Sequence, residues 1–271
     1  MKAPFPFCDA TLASLLARHS LRDFDALWNL PAEPVEPPNH RRGGWSGVWH
    51  LRLADGEGAT HHYYLKRQQN HLSRRGLLLG KKPTFYREYA NILRCRVRKL
   101  PCLDVAYYDE RRRLRREGGR KLPAYQAILI TPALEGYTPF SDVLSGWAAM
   151  PEELRLQYLQ GIARLAADLH RSRLSHNNFY PKHLFVAFDK NPPVRIIDLE
   201  RMGFQWRRIH GCVLDLETFV RRTGVLSDAE VDYFLFQYLR NHELGQNFSQ
   251  LKKRLERRHK KRGMDPPTVQ S

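Results

Sequence analysis

The sequence is short of cysteine, of acidic residues and of long apolar runs, and each shortage excludes something. Four cysteines (Cys8, Cys95, Cys102, Cys212) are scattered with no CxxC pair. Neither a disulfide framework nor a paired-cysteine zinc module is expected, and the thiols read as reduced residues of a cytoplasmic protein. No window approaches ~18 consecutive apolar residues, which excludes a membrane-spanning helix. The N-terminus lacks a basic stretch leading into an apolar run and a small-residue cleavage site, so no secretory signal is expected. G-x-S-x-G, H-E-x-x-H and Walker A patterns are missing too. Acid is scarce beside base: 28 Asp and Glu face 45 Lys and Arg, a net charge of +17.

That excess favours polyanions such as nucleic acid, anionic lipid headgroups or a phosphorylated glycolipid. It is concentrated in three runs: Arg111 to Lys121, Lys252 to Arg262, and Arg74-Arg75 through Lys81-Lys82. Any one run reads first as a solvated face; three in one chain point to an anion-facing surface. With 271 residues and 42% hydrophobic content, the chain is long and apolar enough to bury a substantial core.

Residues 1–38 carry a short helical pattern (Leu12, Leu15, Leu16, Phe24, Leu27, Trp28) and a proline-rich connector, and read as an appended arm. Alternation in WSGVWHLRL and HHYYLKR, separated by ADGEG, predicts a hairpin. Residues 84–98 read as a helix with Thr84 as a candidate N-cap. Strands at 103–108 and 125–131 would flank the first basic run. Residues 152–171 form the strongest helical pattern, with Glu152 and Glu153 near its positive end. Short strands in HLFVAF and VRIIDL follow, then helical patterns near 213–222 and 228–241. The expected class is α+β, with a strand-rich half (39–131) and a mainly helical half (135–262) making one domain over 39–262, and a disordered tail at 263–271.

Phosphoryl transfer needs cationic neutralisation, metal-holding carboxylates and positioning. Gly43, Gly44 and Gly47 precede a strand, where glycines let backbone N–H groups approach a phosphate; a plain turn would look the same. Lys66 closes the second strand and Glu88 lies 22 residues on in the following helix, in order for a lysine–glutamate phosphate clamp. After the long helix comes the polar loop His176-Asn177-Asn178. Asp198 follows β-branched residues in IIDLER, as a metal ligand would, or as a strand-end turn. Asp215 would start the next helix, either as an N-cap or as a brace for the loop. His61, His62 and His71 lack a completing carboxylate or cysteine and read as ordinary strand residues.

The stretches PNHRRGGWSGV, YLKRQQNHLSRRGLLLGKKPTFYREYANI, LITPALEG, HNNFYPKHLFV and IIDLER, spread over residues 35–220, resemble the InaA-type branch of the lipopolysaccharide kinase superfamily. Its relatives are the WaaP-type heptose kinases and the Kdo kinases. The resemblance implies a bilobal protein-kinase-like fold using ATP and Mg²⁺ to phosphorylate inner-core sugar hydroxyls on the cytoplasmic side. It makes Lys66 the phosphate-binding lysine and Glu88 its partner, and places Gly43, Gly44, Gly47 and Leu134 with the nucleotide. Asp198 and His183 become the metal ligands, and His176, Asn178 and Asp198 the catalytic group. Where the heptose kinases carry His-Arg-Asp, this chain has His176-Asn177-Asn178. An amide therefore stands where the general base is expected, and an amide cannot take a proton at neutral pH.

Three functions follow in order. The first is a lipopolysaccharide core kinase whose basic runs face anionic glycolipid or the inner membrane, peripherally and without a spanning segment. The second is a nucleotide-binding pseudokinase with a regulatory or stress-linked role. A nucleic-acid binder comes last, because interleaved aromatics for base stacking are not evident.

Overall fold

The structure, a computed structural model, describes residues 6–41, 43–74, 81–117, 120–205, 208–242 and 247–260. Arg42, most of the third basic run, the tip of the first, and the 263–271 tail lie outside the described residues. The chain divides into two compact units, one of residues 1–92 with 103–133, the other of residues 93–102 with 134–271.

In the first unit, Gly47, Leu51 and Leu53, at odd-numbered positions with Trp49 packed between them, put one face of a strand inward, as its period of two requires. The strands are β1 (Phe7–Cys8), β2 (Glu33–Pro34), β3 (Asn39–Arg41), β4 (Gly44–Ala54), β5 (Thr60–Gln69), β6 (Leu72–Arg74), β7 (Lys81–Pro83), β8 (Tyr107–Glu117) and β9 (Arg120–Pro132). Seven of them form an antiparallel sheet in the order β1-β8-β9-β5-β4-β2, with β3 also on β4. The predicted first hairpin is β4–β5, in a register pairing Val48 with Lys66.

The helices are α1 (Ala10–Arg18), α2 (Phe24–Asn29) and α3 (Thr84–Val97), the last running on from Leu93 into the second unit. Asp9 and Asp23 cap α1 and α2 by accepting from the Leu12 and Ala26 N–H groups. The arm of the sequence reading is not appended: Leu12, Leu15, Leu16, Phe24 and Leu27 form one core with Leu51, Leu53, Leu65, Ile128 and Ile130. Arg67, buried, fastens α2 by donating to the Trp28 and Leu30 carbonyls at 2.7 and 2.9 Å.

Two expectations need correction. The basic run at Arg111–Glu117 is not a connection between strands; it is the strand β8, paired with β9 through Glu117↔Arg120, while 103–106 lie outside it. Thr84 opens α3 but does not cap it with its side chain. Its hydroxyl donates to Gln68 Oε1 (2.9 Å), and that oxygen also accepts the Phe85 N–H (2.9 Å).

The second unit holds β10 (Thr138–Pro139), β11 (Leu174–Ser175), β12 (Leu184–Val186), β13 (Val194–Ile196) and β14 (Gly203–Phe204), with α4 (Phe140–Val143), α5 (Glu152–Arg171), α6 (Arg208–Thr223), α7 (Asp228–His242) and α8 (Phe248–Lys260). The α5 span matches the predicted one. Its buried face, Leu159, Ile162, Ala163, Ala166 and Leu169, packs among α6 and α7. Phe219 on α6 gathers the aromatic core, 4.7 Å from Phe234 and 6.0 Å from both Phe140 and Phe179 between ring centroids. The helix α8 was read only as a basic run; Leu251 and Leu255, one turn apart, bury its inner face.

Candidate active site

In the first unit, Lys66 on β5 donates to Glu88 Oε1 on α3 at 2.6 Å, and both side chains are largely buried. The buried Gln68, two residues along β5, fixes where α3 begins and so where Glu88 falls one turn later. A buried ion pair resists loss of one partner, at a cost of about 3–5 kcal/mol, because the other charge is left stranded.

The predicted glycines cluster at the β3–β4 turn. Gly43 has φ +74°, suited to glycine, and a Cβ on Gly44 would lie 2.1 Å from the Gln69 carbonyl oxygen. Gly47 is filled by the Trp49 ring, 2.6 Å from where a Cβ would sit. These glycines therefore have packing reasons of their own inside the sheet. His61 pairs with Asp55 at 3.2 Å and His71 bonds Thr84 at 3.0 Å, so these histidines serve local structure.

In the second unit, the loop after β11 is organised by Asp215, which is fully buried two turns into α6 and so is not an N-cap. Its Oδ2 accepts from the Ser175 hydroxyl (2.9 Å), the His176 N–H (2.7 Å) and His170 Nε2 (3.1 Å), and its Oδ1 accepts the Asn177 N–H (2.8 Å). Burial opposes its charge, but these donors prevail and hold its pKa below the ordinary carboxylate value. Burial likewise opposes charge on His170, yet the bond to Asp215 and the neighbouring Cys212 raise its pKa to about 9. Asn177 adopts φ 61° and ties its amide to the Arg201 carbonyl at 2.9 Å.

Asn178, Asp198 and His183 converge beyond that brace. Asn178 Nδ2 donates to Asp198 Oδ2 at 2.9 Å, and His183 Nε2 lies 3.4 Å from the same oxygen. His183 Nδ1 must carry a hydrogen, because it faces the Asn178 carbonyl at 2.8 Å. Burial, offset in part by the Asp198 charge, pushes the His183 pKa down, so its Nε2 presents a lone pair to a carboxylate. A carboxylate oxygen and an imidazole nitrogen that close are a pair of donors that a divalent cation could bridge. Carboxylate oxygen is the hard ligand that Mg²⁺ and Mn²⁺ prefer, whereas imidazole is a softer ligand that suits later transition metals better. Asp198 itself has φ 58° and ψ 57°, the left-handed region.

His176, grouped by resemblance with the catalytic residues, is fully buried and its Nε2 donates to the Ile197 carbonyl at 2.9 Å. It touches the backbone beside Asp198, so its geometry is that of a positioning residue. Leu134 lies two residues past the end of β9, and its carbonyl accepts the Tyr137 N–H at 3.1 Å. Sequence reasoning passed over His170, Ser175 and Gln68. Their partners lie 45, 40 and 16–17 residues away, beyond any local spacing signal.

The model of the lipopolysaccharide kinase (Kdo/WaaP) family matches residues 25–238. The chain belongs to that family. It is similar to Protein InaA of Escherichia coli (strain K12), 26% identical over 188 residues that cover 69% of this chain and 81% of that protein. It is also similar to WaaP solved in complex with acyl carrier protein, with a TM-score of 0.64 at 20% identity, covering 96% of this chain and 99% of that one. That likeness is one of fold, and with the mixed helices and strands described above it makes this a bilobal kinase-like α+β protein. As a Kdo/WaaP member it is lipopolysaccharide kinase-like, in a phosphotransferase family, and kinase families use ATP. No helix among the described residues is long and apolar enough to cross a membrane.

Proposed function

We propose that this protein binds ATP with a divalent cation and transfers the γ-phosphate, slowly, to a sugar hydroxyl of the lipopolysaccharide inner core. The reading is carried by one observation: an amide, Asn178, is hydrogen-bonded at 2.9 Å to the carboxylate that would hold the metal. Lys66, braced by Glu88, would neutralise nucleotide phosphates, with the Gly43–Gly44 turn and Leu134 beside the nucleotide. Asp198, with His183, would hold Mg²⁺, which supplies charge neutralisation between the phosphates. With Nδ2 committed to Asp198, Asn178 keeps Oδ1 to accept a hydrogen bond from the sugar hydroxyl, but it cannot take the proton. Loss of a general base costs ~10²–10⁴-fold, while positioning sustains the remainder because the transition state is loose. The basic surface would face anionic lipopolysaccharide at the cytoplasmic side of the inner membrane.

The test is γ-phosphate transfer from labelled ATP with Mg²⁺ to lipopolysaccharide lacking core phosphate. Slow, Asp198-dependent labelling of the core supports the reading, and an ordinary kinase rate in the wild type overturns the assigned role of Asn178. The same amide favours a second reading, a nucleotide-binding pseudokinase with a regulatory role. Tight ATP binding with no transfer, even after Asn178→Asp, would select it.

A further inference from the structure

Behind the loop brace, three helices bring together side chains that the phosphoryl-transfer reading leaves unused. His170 near the end of α5, Cys212 on α6 and His242 at the end of α7 are all buried, at 3, 4 and 3% exposure. One donor atom from each lies within 4.8 Å of the other two. Cys212 Sγ is 3.9 Å from His242 Nε2, and the two imidazole centroids are 6.1 Å apart. Among the described residues, His242 Nδ1 is buried with no hydrogen-bond partner. A leucine or phenylalanine would fill such a space without an orphaned polar atom.

We propose that His170, Cys212 and His242 form a buried site for Zn²⁺, separate from the nucleotide and metal residues. The donor set is thiolate and imidazole, which zinc prefers over the hard cations. Zinc–sulfur and zinc–nitrogen bonds in a tetrahedral arrangement set sulfur and nitrogen ~3.5 Å apart. The Cys212–His242 separation therefore needs only a small adjustment to close on an ion. His170 already has the outer partner that ligating histidines favour: Asp215 takes its Nε2–H at 3.1 Å, leaving Nδ1 for the metal. Tyr238, whose hydroxyl lies 3.0 Å from that Nδ1, or a water completes the fourth position. Charge also balances, since Zn²⁺ is neutralised by the Cys212 thiolate and the Asp215 carboxylate together. On binding, the ion displaces the Cys212 proton and any proton on His170 Nδ1. Because Asp215 also holds Ser175, His176 and Asn177, a metal here stiffens the loop from behind.

The test uses Co²⁺ as a spectroscopic substitute under reducing conditions, in a Cys8→Ser background that removes the exposed thiol. One equivalent incubated to equilibrium should give a thiolate-to-cobalt charge-transfer absorption, displaced by one equivalent of Zn²⁺. Cys212→Ser should abolish that band, and His242→Gln should weaken Co²⁺ affinity at least ~10-fold. Zn²⁺ should raise the melting temperature of the parent and leave that of Cys212→Ser unchanged. A parent that shows no charge-transfer band overturns the proposal, whether or not the variants fold. So does a band that survives Cys212→Ser or is indifferent to His242→Gln.

Discussion

The chemistry of this molecule turns on which atom of which residue can take a proton. Asn178→Asp would return a carboxylate to the acceptor position and should raise phosphate transfer by ~10²-fold or more. On the proposed reading nucleotide affinity should barely move, because the acceptor position would face the sugar and not ATP. The same substitution exchanges the 2.9 Å hydrogen bond to Asp198 for a repulsion between like charges. The variant's melting temperature should therefore rise with Mg²⁺ more steeply than the wild type's, which thermal scans with and without the ion will show. Equal Mg²⁺ responses would place the two side chains farther apart than described. Residue type and order singled out the 176–178 loop and Asp198, while His183 and the role of Asn178 entered only with the family resemblance; the structure brings the three side chains together, and their catalytic and metal roles are proposals. The sequence left Asp215 between cap and brace, since the atoms that decide the matter are contributed from 38 to 45 residues away.

At the scale of elements, periodicity was a sufficient guide where one face is apolar. The α5 helix and the β4–β5 hairpin show their burial directly in their spacing. It failed where charge hides the pattern. In β8, YYDERRRLRRE, the strand is held by pairing with β9, and arginines occupy positions that an alternation rule expects to be apolar. In α8 two leucines are all the inward face offers. The arm shows a further limit: its leucines mark helices, but nothing in the sequence says which sheet they will cover. Two element junctions can be tested. Gln68→Ala strips the Phe85 N–H and the Thr84 hydroxyl of their buried acceptor and leaves the His71 carbonyl with the Thr84 N–H, and should cost about 2–4 kcal/mol in urea unfolding. A loss under about 0.5 kcal/mol would mean water or another group replaces it. Asp25 joins α2 to β8 through Arg111 and Arg113, both at 2.6 Å. The hydrogen bond from Arg111, with help from Arg113, lowers its pKa to about 2 from 3.8. A depressed carboxylate stabilises above its unfolded pKa and ceases to as pH falls through the folded one. The difference in melting temperature between wild type and Asp25→Asn should thus be full above about pH 5, fall as pH drops toward 2, and vanish below it.

For the whole molecule, the net charge of +17 governs what the surface will meet. Exposed charges act over a Debye length of ~8 Å at physiological salt, so binding to anionic vesicles should weaken steeply as salt is added. The structure refines which arginines matter. Arg111 and Arg113 are partly neutralised by Asp25, whereas Arg112 lies on the opposite face of β8, over the Tyr125 ring at 5.4 Å. In vesicle co-sedimentation, Arg112→Glu should reduce binding more than Arg113→Glu does, and neither should change ATP affinity. Sedimentation indifferent to salt and to both substitutions would remove the membrane-facing role of this hairpin.

The left-handed backbone at Asp198 carries a cost of its own. Glycine or asparagine would rest there more easily, since a non-glycine side chain in that region is held against its own sterics. Such a conformation persists only where the surrounding structure over-determines it, and it clusters at ligand clamps. Asn178 and His183, both within reach of the Asp198 carboxylate, are part of what holds it there. Freed of that company, the acid would be a liability to the fold; kept in it, the carboxylate is aimed before any ion arrives.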